Sequence, residues 1–290
     1  MRNFQDKVAV VTGAASGIGF AMAERFAQEG MRVVLADIER DALTAAAARL
    51  SQTGKHIIAV VTDVSKPESV EALAQKTLKT FGAVHIVCNN AGVGNPPVPV
   101  WENTLADWQW VLGVNLWGVI HGIRSFVPIL LRQGEPGHVV NTASMAGLTS
   151  APRLGVYCAS KHAVVAISET LHAELAAIGS PVKVSVLCPS FVQTNIADSS
   201  RNRPPDLPGT ESDSDAAEAF RLMLRGLLAT GMAPSAVAER VLGAIREEQL
   251  YILTHPDTKP ALQRHMEDVI AERNPDLTPS LVSESAAAAG

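Results

Sequence analysis

The chain has 290 residues, of which 47% are apolar, and its 24 basic and 29 acidic residues leave a net charge of −5. This length and apolar fraction supply a large core and exclude intrinsic disorder for the bulk of the chain. The acidic balance argues against a nucleic-acid or anionic-membrane surface, and no uninterrupted apolar run approaches the ~18 residues of a membrane span. We therefore expect a soluble cytoplasmic protein without a nucleic-acid or membrane partner.

Cysteine and histidine spacing gives no sign of a metal site. Cys88, Cys158 and Cys188 are far apart and form no C-x-x-C pair, and none of the eight histidines has metal-ligand spacing. The sequence therefore predicts neither a metal nor a disulfide framework. It also contains only two tyrosines, Tyr157 and Tyr251.

Short runs rich in Val and Ile alternate with stretches of helical spacing along the first part of the chain. This alternation indicates βαβ crossovers, and hence an α/β fold with a doubly wound parallel sheet of about seven strands and helices on both faces. The runs are apolar at consecutive positions, as expected of strands covered on both sides. They lie at about 7–12, 32–36, 56–61, 84–88, 137–142 and 182–188, with a possible last strand at 251–253.

The rhythm changes after Pro189. Residues 199–215 are rich in Ser, Pro, Asp and Gly and predict a loop, whereas helical spacing returns at 216–228, from 234 to about 248, and at 261–271. We expect a single domain over 1–255 and a C-terminal tail over 256–290, whose alanine-rich end at 283–290 is frayed.

A glycine-rich loop follows the first strand. The sequence T-G-A-A-S-G-I-G places glycines at 13, 17 and 19 directly before a helical stretch. Glycines let the backbone turn tightly and approach a pyrophosphate, whose charge the free N–H groups of a helix N-terminus stabilise. The spacing is G-x-x-x-G-x-G, so the glycines alone leave a strand–helix turn without a ligand as an equal alternative.

An acidic residue, Asp37, ends the second apolar run. It lies close to the ~20-residue offset expected of a ribose-binding acid. A carboxylate there accepts both ribose hydroxyls and repels a 2′-phosphate, which favours NAD over NADP. The alternative is an N-cap for the following helix. Arg40 keeps NADP use open, although Ala14 and Ala15 leave no basic residue in the loop.

A tyrosine and a lysine stand four residues apart in Tyr157-Cys158-Ala159-Ser160-Lys161. This spacing puts Tyr157 and Lys161 on one helix face, where the ammonium would lower the tyrosine pKa. Ser144 follows the run at 138–142, at the strand end where parallel sheets place ligands. A Y-x-x-x-K motif alone is typical of a solvated helix face. Its position after a strand-end serine and a dinucleotide loop favours a catalytic site.

Together these motifs resemble the short-chain dehydrogenase/reductase family over about residues 5–255. Six motifs match in the family's order, which makes the resemblance highly specific. They are T-G-x-x-x-G-I-G at 12–19, Asp63-Val64, N-N-A-G at 89–92, Asn115, Ser144-x-x-Gly147 and Tyr157-x-x-x-Lys161. The resemblance implies a Rossmann-type fold and an NAD(P)-dependent alcohol dehydrogenase or ketoreductase that works as a homodimer or homotetramer, through helices beginning near Asp107 and Gly155.

The resemblance also implies four catalytic residues. Tyr157 would be the general acid/base, and Lys161 would hold the nicotinamide ribose and lower the pKa of Tyr157. Ser144 would hydrogen-bond the substrate oxygen. Asn115 would anchor a water that connects Lys161 to solvent, the alternative being a helix asparagine that satisfies nearby backbone groups.

The implied cofactor site runs from the glycine loop to the strand ends. Asp63 would bind the adenine amino group, Val64 would touch the ring through its backbone, and Asn90 would lie along the adenosine while linking the first and fourth strands. The complete set is Gly13, Ser16, Gly17, Ile18, Gly19, Asp37, Asp63, Val64, Asn90, Gly92, Tyr157, Lys161, Pro189, Val192 and Thr194.

One departure concerns the residue after Pro189. The family usually has glycine there, whereas this chain has Ser190, while Val192 and Thr194 still match the positions that hold the nicotinamide carboxamide. We interpret Ser190 as a specificity element that lies beside Ser144 and Tyr157 at the substrate. The alternative is that Ser190 only satisfies the local backbone.

Small and apolar residues fill the segments predicted to enclose substrate. These are residues 93–100, 145–154 and 190–230, with 195–233 as a covering insertion. They favour an apolar or aryl-bearing secondary alcohol or ketone. Two alternatives remain, an NADP-dependent carbonyl reductase of the same fold and a non-catalytic cofactor-binding sensor or scaffold. The presence of all four catalytic residues argues against the second.

Overall fold

The computed structural model describes residues 1–52, 56–210 and 215–275. Two compact units divide the chain, Met1–Thr254 and His255–Gly290. The first unit carries the sheet and every residue of the predicted site.

Seven strands form one parallel sheet in the order β3-β2-β1-β4-β5-β6-β7, which confirms the predicted doubly wound α/β fold. The chain runs outward from the first strand to the third and then returns to place the fourth beside the first. Ligands bind at such a reversal, beyond the carboxyl ends of the strands. The strands are β1 Val8–Thr12, β2 Arg32–Asp37, β3 Ile57–Val61, β4 Ile86–Asn89, β5 Gly137–Thr142, β6 Val182–Cys188 and β7 Tyr251–Leu253.

Helices cover both faces of the sheet. They are α1 Gly17–Gln28, α2 Arg40–Ser51, α3 Pro67–Phe81, α4 Leu105–Leu112, α5 Gly118–Gln133, α6 Gly155–Ala177, α7 Asp215–Ala229 and α8 Pro234–Glu247. Successive strand residues point to opposite faces, so Val11 packs with α1 and α8 whereas Val10 packs with α3, α5 and α6. Both faces are therefore buried, which explains why the strands are apolar at consecutive positions.

A π-helical segment, Gly113–Trp117, joins α4 and α5 into one long helical stretch. By length and composition alone, Leu105–Gln133 passes a test for a membrane span, although half of its apolar window is buried inside the protein. Phe126 and Leu130 pack with Val10 and Val34 of the sheet. This packing is that of a core helix.

The segment at 195–233, called the covering segment below, is more structured than the sequence predicts. Residues 199–215 were expected to be a loop, but Ile196–Asn202 is a 3₁₀ helix with a kink at Asp198. Short 3₁₀ turns depend on local hydrogen bonds rather than on apolar periodicity, so the pattern did not reveal it. Residues 211–214 of the expected loop lie outside the described residues.

The second unit begins with a 3₁₀ turn at Pro256–Thr258, followed by helix α9 at Lys259–Ile270. Helical spacing in the sequence places this helix at 261–271, close to its observed bounds. Helix α9 contains no buried residue among those that the structure describes. The predicted frayed end at 283–290 lies outside the described residues.

Candidate active site

The loop between β1 and α1 accepts only glycine at three positions. Gly13 has φ +65°, and a Cβ there would lie 2.9 Å from the Cα of Ala91. Gly17 has φ +55°, and its Cβ would lie 3.0 Å from Cγ2 of Thr194. A Cβ at Gly19 would overlap the carbonyl oxygen of Gly13. The loop therefore has no side chain at the three positions where it turns, and a ligand can approach its backbone there.

The N-terminus of α1 faces this bare loop. Ser16 is the N-cap residue in extended conformation, and within the described part of the chain its side chain makes no capping hydrogen bond. The first intrahelical bond runs from Phe20 N to Ser16 O, so the preceding N–H groups and the positive end of the helix dipole remain available. The loop thus has the shape and the donors that fit a dinucleotide pyrophosphate.

Asp37 connects the glycine loop to the turn after β2. Its Oδ2 accepts a hydrogen bond from Ala15 N at 2.9 Å, and its Oδ1 accepts one from Glu39 N at 3.1 Å. Burial raises the pKa of Asp37, while these backbone bonds oppose the shift. Glu39, not Asp37, is the N-cap residue of α2. Because a carboxylate has about four acceptor sites, Asp37 can still accept a further donor such as a ribose hydroxyl.

Asn90 ties three strand ends together. Its backbone N donates to Thr12 Oγ1 at 2.9 Å, its Nδ2 donates to Thr12 O at 3.0 Å, and its Oδ1 accepts from Thr142 Oγ1 at 3.2 Å. These bonds join β1, β4 and β5 at the point where the strand order reverses. The side chain therefore fixes the floor of the crevice.

Asp63 and Val64 lie beyond the end of β3. Asp63 Oδ1 accepts hydrogen bonds from Ser65 N at 2.9 Å and from Ser65 Oγ at 2.6 Å. Val64 is buried, and its carbonyl oxygen lies 2.9 Å from Nδ1 of His121. One carboxylate oxygen of Asp63 thus already stabilises its own turn.

Ser144 and Tyr157 meet beyond the end of β5. Ser144 is the N-cap residue of a 3₁₀ turn, where its Oγ accepts from Ala146 N at 3.1 Å and donates to Pro189 O at 3.3 Å. Tyr157 lies in the first turn of α6, close enough to Ser144 for the serine side chain to act on its hydroxyl in the direction that lowers the tyrosine pKa. The two hydroxyls therefore converge on one point at the sheet edge.

Lys161 lies beneath this hydroxyl pair and is 2% exposed. Its Nζ donates to Thr142 O at 2.9 Å and lies 5.6 Å from the ring centroid of Tyr157. Burial lowers the pKa of Lys161 to about 8. A Cβ at Gly92 would come within 3.5 Å of this Nζ and 3.4 Å of Asn115 Oδ1, so the bare backbone of Gly92 borders both side chains.

The pKa of Tyr157 differs from the sequence-based expectation. We expected the Lys161 ammonium to lower it, but burial raises it to about 12, and the side chain of Ser144 offsets only part of that shift. Desolvation disfavours the phenolate more than the ammonium, 5.6 Å from the ring, favours it. The hydroxyl is therefore protonated at neutral pH in the protein without a bound cofactor.

Comparison with known proteins identifies this arrangement. A family model described as short chain dehydrogenase matches residues 7–205. The chain belongs to the short-chain dehydrogenase/reductase family. A 1-deoxy-11-beta-hydroxypentalenate dehydrogenase of Streptomyces avermitilis is 38% identical over 275 residues, covering 92% of this chain and 91% of that protein. The family and the fold predicted from the motifs are confirmed, and the chain is an NAD(P)-dependent alcohol dehydrogenase or ketoreductase.

Solved structures show both cofactors among similar proteins. A short-chain dehydrogenase/reductase from Burkholderia phymatum, in complex with NAD, is 45% identical with a TM-score of 0.93, covering 97% of this chain and 100% of that one. An alcohol dehydrogenase from Thermococcus sibiricus, complexed with 5-hydroxy-NADP, is 27% identical with a TM-score of 0.69, covering 86% and 96%. Family membership therefore leaves the choice of cofactor to the residues of this chain.

In this chain, both the oxygen and the nitrogen of the Asn115 side chain form hydrogen bonds to other protein groups. Asn115 lies in the π-helical segment, and its Oδ1 accepts from Val93 N at 2.8 Å. Its Nδ2 donates to Val93 O at 2.9 Å and to Ser160 Oγ at 3.1 Å. Both amide hydrogens of Asn115 are thus used within the protein, which suits the alternative role of an asparagine that satisfies nearby backbone groups.

The segment after β6 spans from the hydroxyl pair to the glycine loop. Pro189 O accepts from Met145 N at 2.9 Å as well as from Ser144 Oγ. Buried Val192 pairs with Met232, and Thr194 lies against Gly17. Ser190, half-buried, follows Pro189 directly. The residues predicted to flank the nicotinamide and the substrate thus lie on one continuous stretch.

Asn95 is a site residue that the sequence did not indicate. Its Oδ1 accepts from Tyr157 N at 3.3 Å, and its Nδ2 donates to Arg153 O at 3.2 Å. Asn95 thus supplies from a distant loop the cap that Leu154, the N-cap residue of α6, does not provide among the described contacts. No local pattern could reveal a cap 62 residues away.

The described residues 1–52, 56–210 and 215–275 contain no group of three His, Cys, Asp or Glu side chains placed to hold a metal ion. The titratable groups that the structure brings together at the carboxyl end of β5 are the hydroxyl of Tyr157 and the ammonium of Lys161, next to the hydroxyl of Ser144. Such groups are able to donate and accept protons.

Proposed function

We propose that the protein transfers a hydride between NAD(H) and a secondary alcohol/ketone pair, with Tyr157 as the general acid/base. The observation that carries the proposal is the juxtaposition of the Ser144 and Tyr157 hydroxyls with buried Lys161, whose Nζ donates to Thr142 O at the carboxyl end of β5. The glycine loop at the end of β1 fits the pyrophosphate of the same cofactor. When bound, the nicotinamide accepts or donates the hydride.

The protein residues divide the proton chemistry between them. In the reducing direction, the Tyr157 hydroxyl gives its proton to the carbonyl oxygen, and Ser144 holds that oxygen by a hydrogen bond. In the oxidising direction, a Tyr157 phenolate removes the proton of the alcohol. Because burial raises the pKa of Tyr157 to about 12, the phenolate needs positive charge nearby, which Lys161 supplies.

Replacement of Tyr157 tests the proposed acid/base role. Tyr157→Phe removes the proton donor but keeps the ring, so we expect turnover to fall by about 10²–10⁴-fold. Dissociation constants for NADH, measured by fluorescence titration, should change by less than about twofold, because the glycine loop and Asp37 are intact.

The second tyrosine of the chain provides a matched control. Tyr251 lies in β7, is 41% exposed, and its hydroxyl donates to Glu169 on the protein surface. Tyr251→Phe should leave turnover unchanged. Wild-type turnover in Tyr157→Phe would exclude the assignment, and unmeasurable turnover in the wild type with intact NADH binding would favour the non-catalytic sensor.

The preference for NAD is supported by Asp37. Its carboxylate lies at the end of β2, bonded to the glycine loop, where it suits ribose hydroxyls and repels a 2′-phosphate. Ala14 and Ala15 place no cation in the loop. Equal catalytic efficiencies with NADP and NAD would contradict this preference and favour the alternative, an NADP-dependent carbonyl reductase.

The proposed substrate is apolar or aryl-bearing. Buried Val98 lies in the loop after β4, and buried Met145 follows Ser144. The covering segment contacts this loop, because Ser199 Oγ accepts from Gly94 N at 2.9 Å. A panel of secondary alcohols and ketones should show rates that fall as charge is added to the substrate.

Assembly and location remain part of the proposal. Trp101, in the 3₁₀ turn before α4, and Leu105, the first residue of α4, are 81% and 88% exposed, which supports a homodimer or homotetramer through α4 and α6. Light scattering should give two or four times the chain mass of 30.6 kDa. The proposed location is the cytoplasm.

A further inference from the structure

One ion pair ties the covering segment to the turn after β2. Arg201 donates from NH2 to Oε1 of Glu39 at 2.6 Å and from Nε to Oε2 at 3.3 Å. Asn202 adds a bond from Nδ2 to the same Oε1 at 2.8 Å. The guanidinium thus forms a bidentate contact with the carboxylate through two N–H groups. Arginine binds phosphate with the same geometry.

This ion pair lies at the ribose end of the proposed cofactor site. Glu39 is two residues beyond Asp37, and its backbone N donates to Asp37 Oδ1. The other oxygen of Asp37 accepts from Ala15 in the glycine loop. Arg201 is therefore held at the turn that directly follows the carboxylate proposed to face the ribose hydroxyls. In other dinucleotide-binding folds an arginine near that carboxylate position accommodates a 2′-phosphate.

Arg201 is also held by its own segment. Its NH1 donates to Asn195 O at 3.2 Å and to Asp198 O at 2.9 Å. These bonds do not involve Glu39. Removing the Glu39 carboxylate should therefore leave the guanidinium in place, with its Nε and NH2 groups released for another acceptor. The side chains of Arg201 and Glu39 are 39% and 28% exposed, so a ligand can reach them.

We propose that Glu39 is a cofactor-selecting residue, because by occupying Arg201 it denies that guanidinium to a phosphate on the 2′-oxygen of the ribose. The inference rests on the proposed nucleotide site and extends its selectivity beyond Asp37. Glu39 adds its own negative charge to that of Asp37, since the hydrogen bond from Arg201 lowers its pKa and keeps it ionised. Two acidic residues and one occupied arginine then disfavour NADP together.

The test compares two fragments that differ by the 2′-phosphate, 5′-AMP and 2′,5′-ADP, whose binding is measured by calorimetry without catalysis. Asp37→Asn provides a background in which the first carboxylate no longer repels the phosphate. In that background Glu39→Gln should tighten 2′,5′-ADP by about three- to tenfold and change 5′-AMP by less than about twofold. The gain should shrink as salt screens the charges.

A third substitution tests whether the guanidinium of Arg201 causes the tighter binding of 2′,5′-ADP. Arg201→Gln, added to Asp37→Asn and Glu39→Gln, should abolish the tighter binding of 2′,5′-ADP. Glu24→Gln in the same Asp37→Asn background is the charge control, because Glu24 also pairs with an arginine on the surface, Arg49, through a single contact at 3.4 Å. It removes the same charge and should leave the ratio of the two affinities unchanged.

The outcomes separate this inference from the proposed function. If 5′-AMP and NADH bind the wild type but Glu39→Gln brings no gain for 2′,5′-ADP, the role of Glu39 is refuted while the nucleotide site stands. A gain that survives Arg201→Gln, or that Glu24→Gln reproduces, also refutes it. If the wild type binds neither 5′-AMP nor NADH, the proposed nucleotide site fails and the inference fails with it.

Discussion

Two arginines that lie two residues apart anchor the covering segment, one through a buried ion pair and the other through an exposed one. Arg203 pairs with Asp107 of α4 at 2.7 Å, and the two side chains are 10% and 0% exposed. Arg201 pairs with Glu39 at a similar distance of 2.6 Å, but those side chains are 39% and 28% exposed. Similar chemistry thus occurs in two different dielectric environments, and its energetic value should differ accordingly.

The buried anchor is part of a larger network. Asp107 forms a capping box with Thr104 at the start of α4 and also accepts from the hydroxyl of Thr210. The guanidinium of Arg203 lies 4.8 Å from the ring centroid of Trp110 and donates to Leu207 O. Removing Asp107 leaves the buried guanidinium of Arg203 without a charge partner, whereas water can replace the members of the exposed pair. We infer that the buried anchor maintains structure and the exposed one is free to tune binding.

Loss of the buried anchor should have the largest effect on stability. Asp107→Ala leaves Arg203 unpaired in a mostly dry site, so we expect a loss of about 3–5 kcal/mol in the free energy of unfolding. Urea unfolding monitored by circular dichroism measures it. Asp198→Ala, which breaks the exposed pair between Asp198 and Arg225, should change the value by less than about 1 kcal/mol. Equal losses in both variants would contradict the comparison.

The pH dependence of stability tests how much the ionised Asp107 carboxylate contributes to the buried anchor. Burial opposes the ionisation of Asp107, but hydrogen bonds from Thr210, Thr104 and Arg203 outweigh it and hold the pKa below the ordinary 3.8. A depressed folded-state pKa adds stability that is present above the unfolded-state pKa and is lost as pH falls through the folded-state value. The wild type should therefore lose stability below about pH 4 more steeply than Asp107→Asn. Parallel unfolding curves would refute this contribution.

Loss of the exposed anchor should have the smallest effect. Glu39→Gln breaks a partly solvated pair, so the free energy of unfolding should fall by less than about 1 kcal/mol. Urea unfolding monitored by circular dichroism again measures the change, with Glu24→Gln as the reference. A loss comparable to that of Asp107→Ala would show that both anchors are structural and would remove the reason to separate them.

Features that depend only on residues close together in the chain could be predicted from the sequence. All seven strands and the glycine loop were predicted close to their observed positions, because apolar runs and glycine spacing act over a few residues. Tyr157 and Lys161 were paired correctly by the four-residue repeat of a helix. The serine that joins them was found because parallel strands end at the same edge of the sheet.

Contacts between distant segments decided the rest. Asn95 caps the helix of Tyr157 across 62 residues, and Arg201 meets Glu39 across 162. No periodicity encodes such pairs, because they depend on how the elements pack. The pKa of Tyr157 shows the same limit, since a neighbouring lysine predicted a lower value and burial produced a higher one. The sequence alone determined which groups we propose as reacting groups, whereas only the tertiary structure decided their solvation, their caps and their charge partners, because these depend on atoms that the chain brings together from far away.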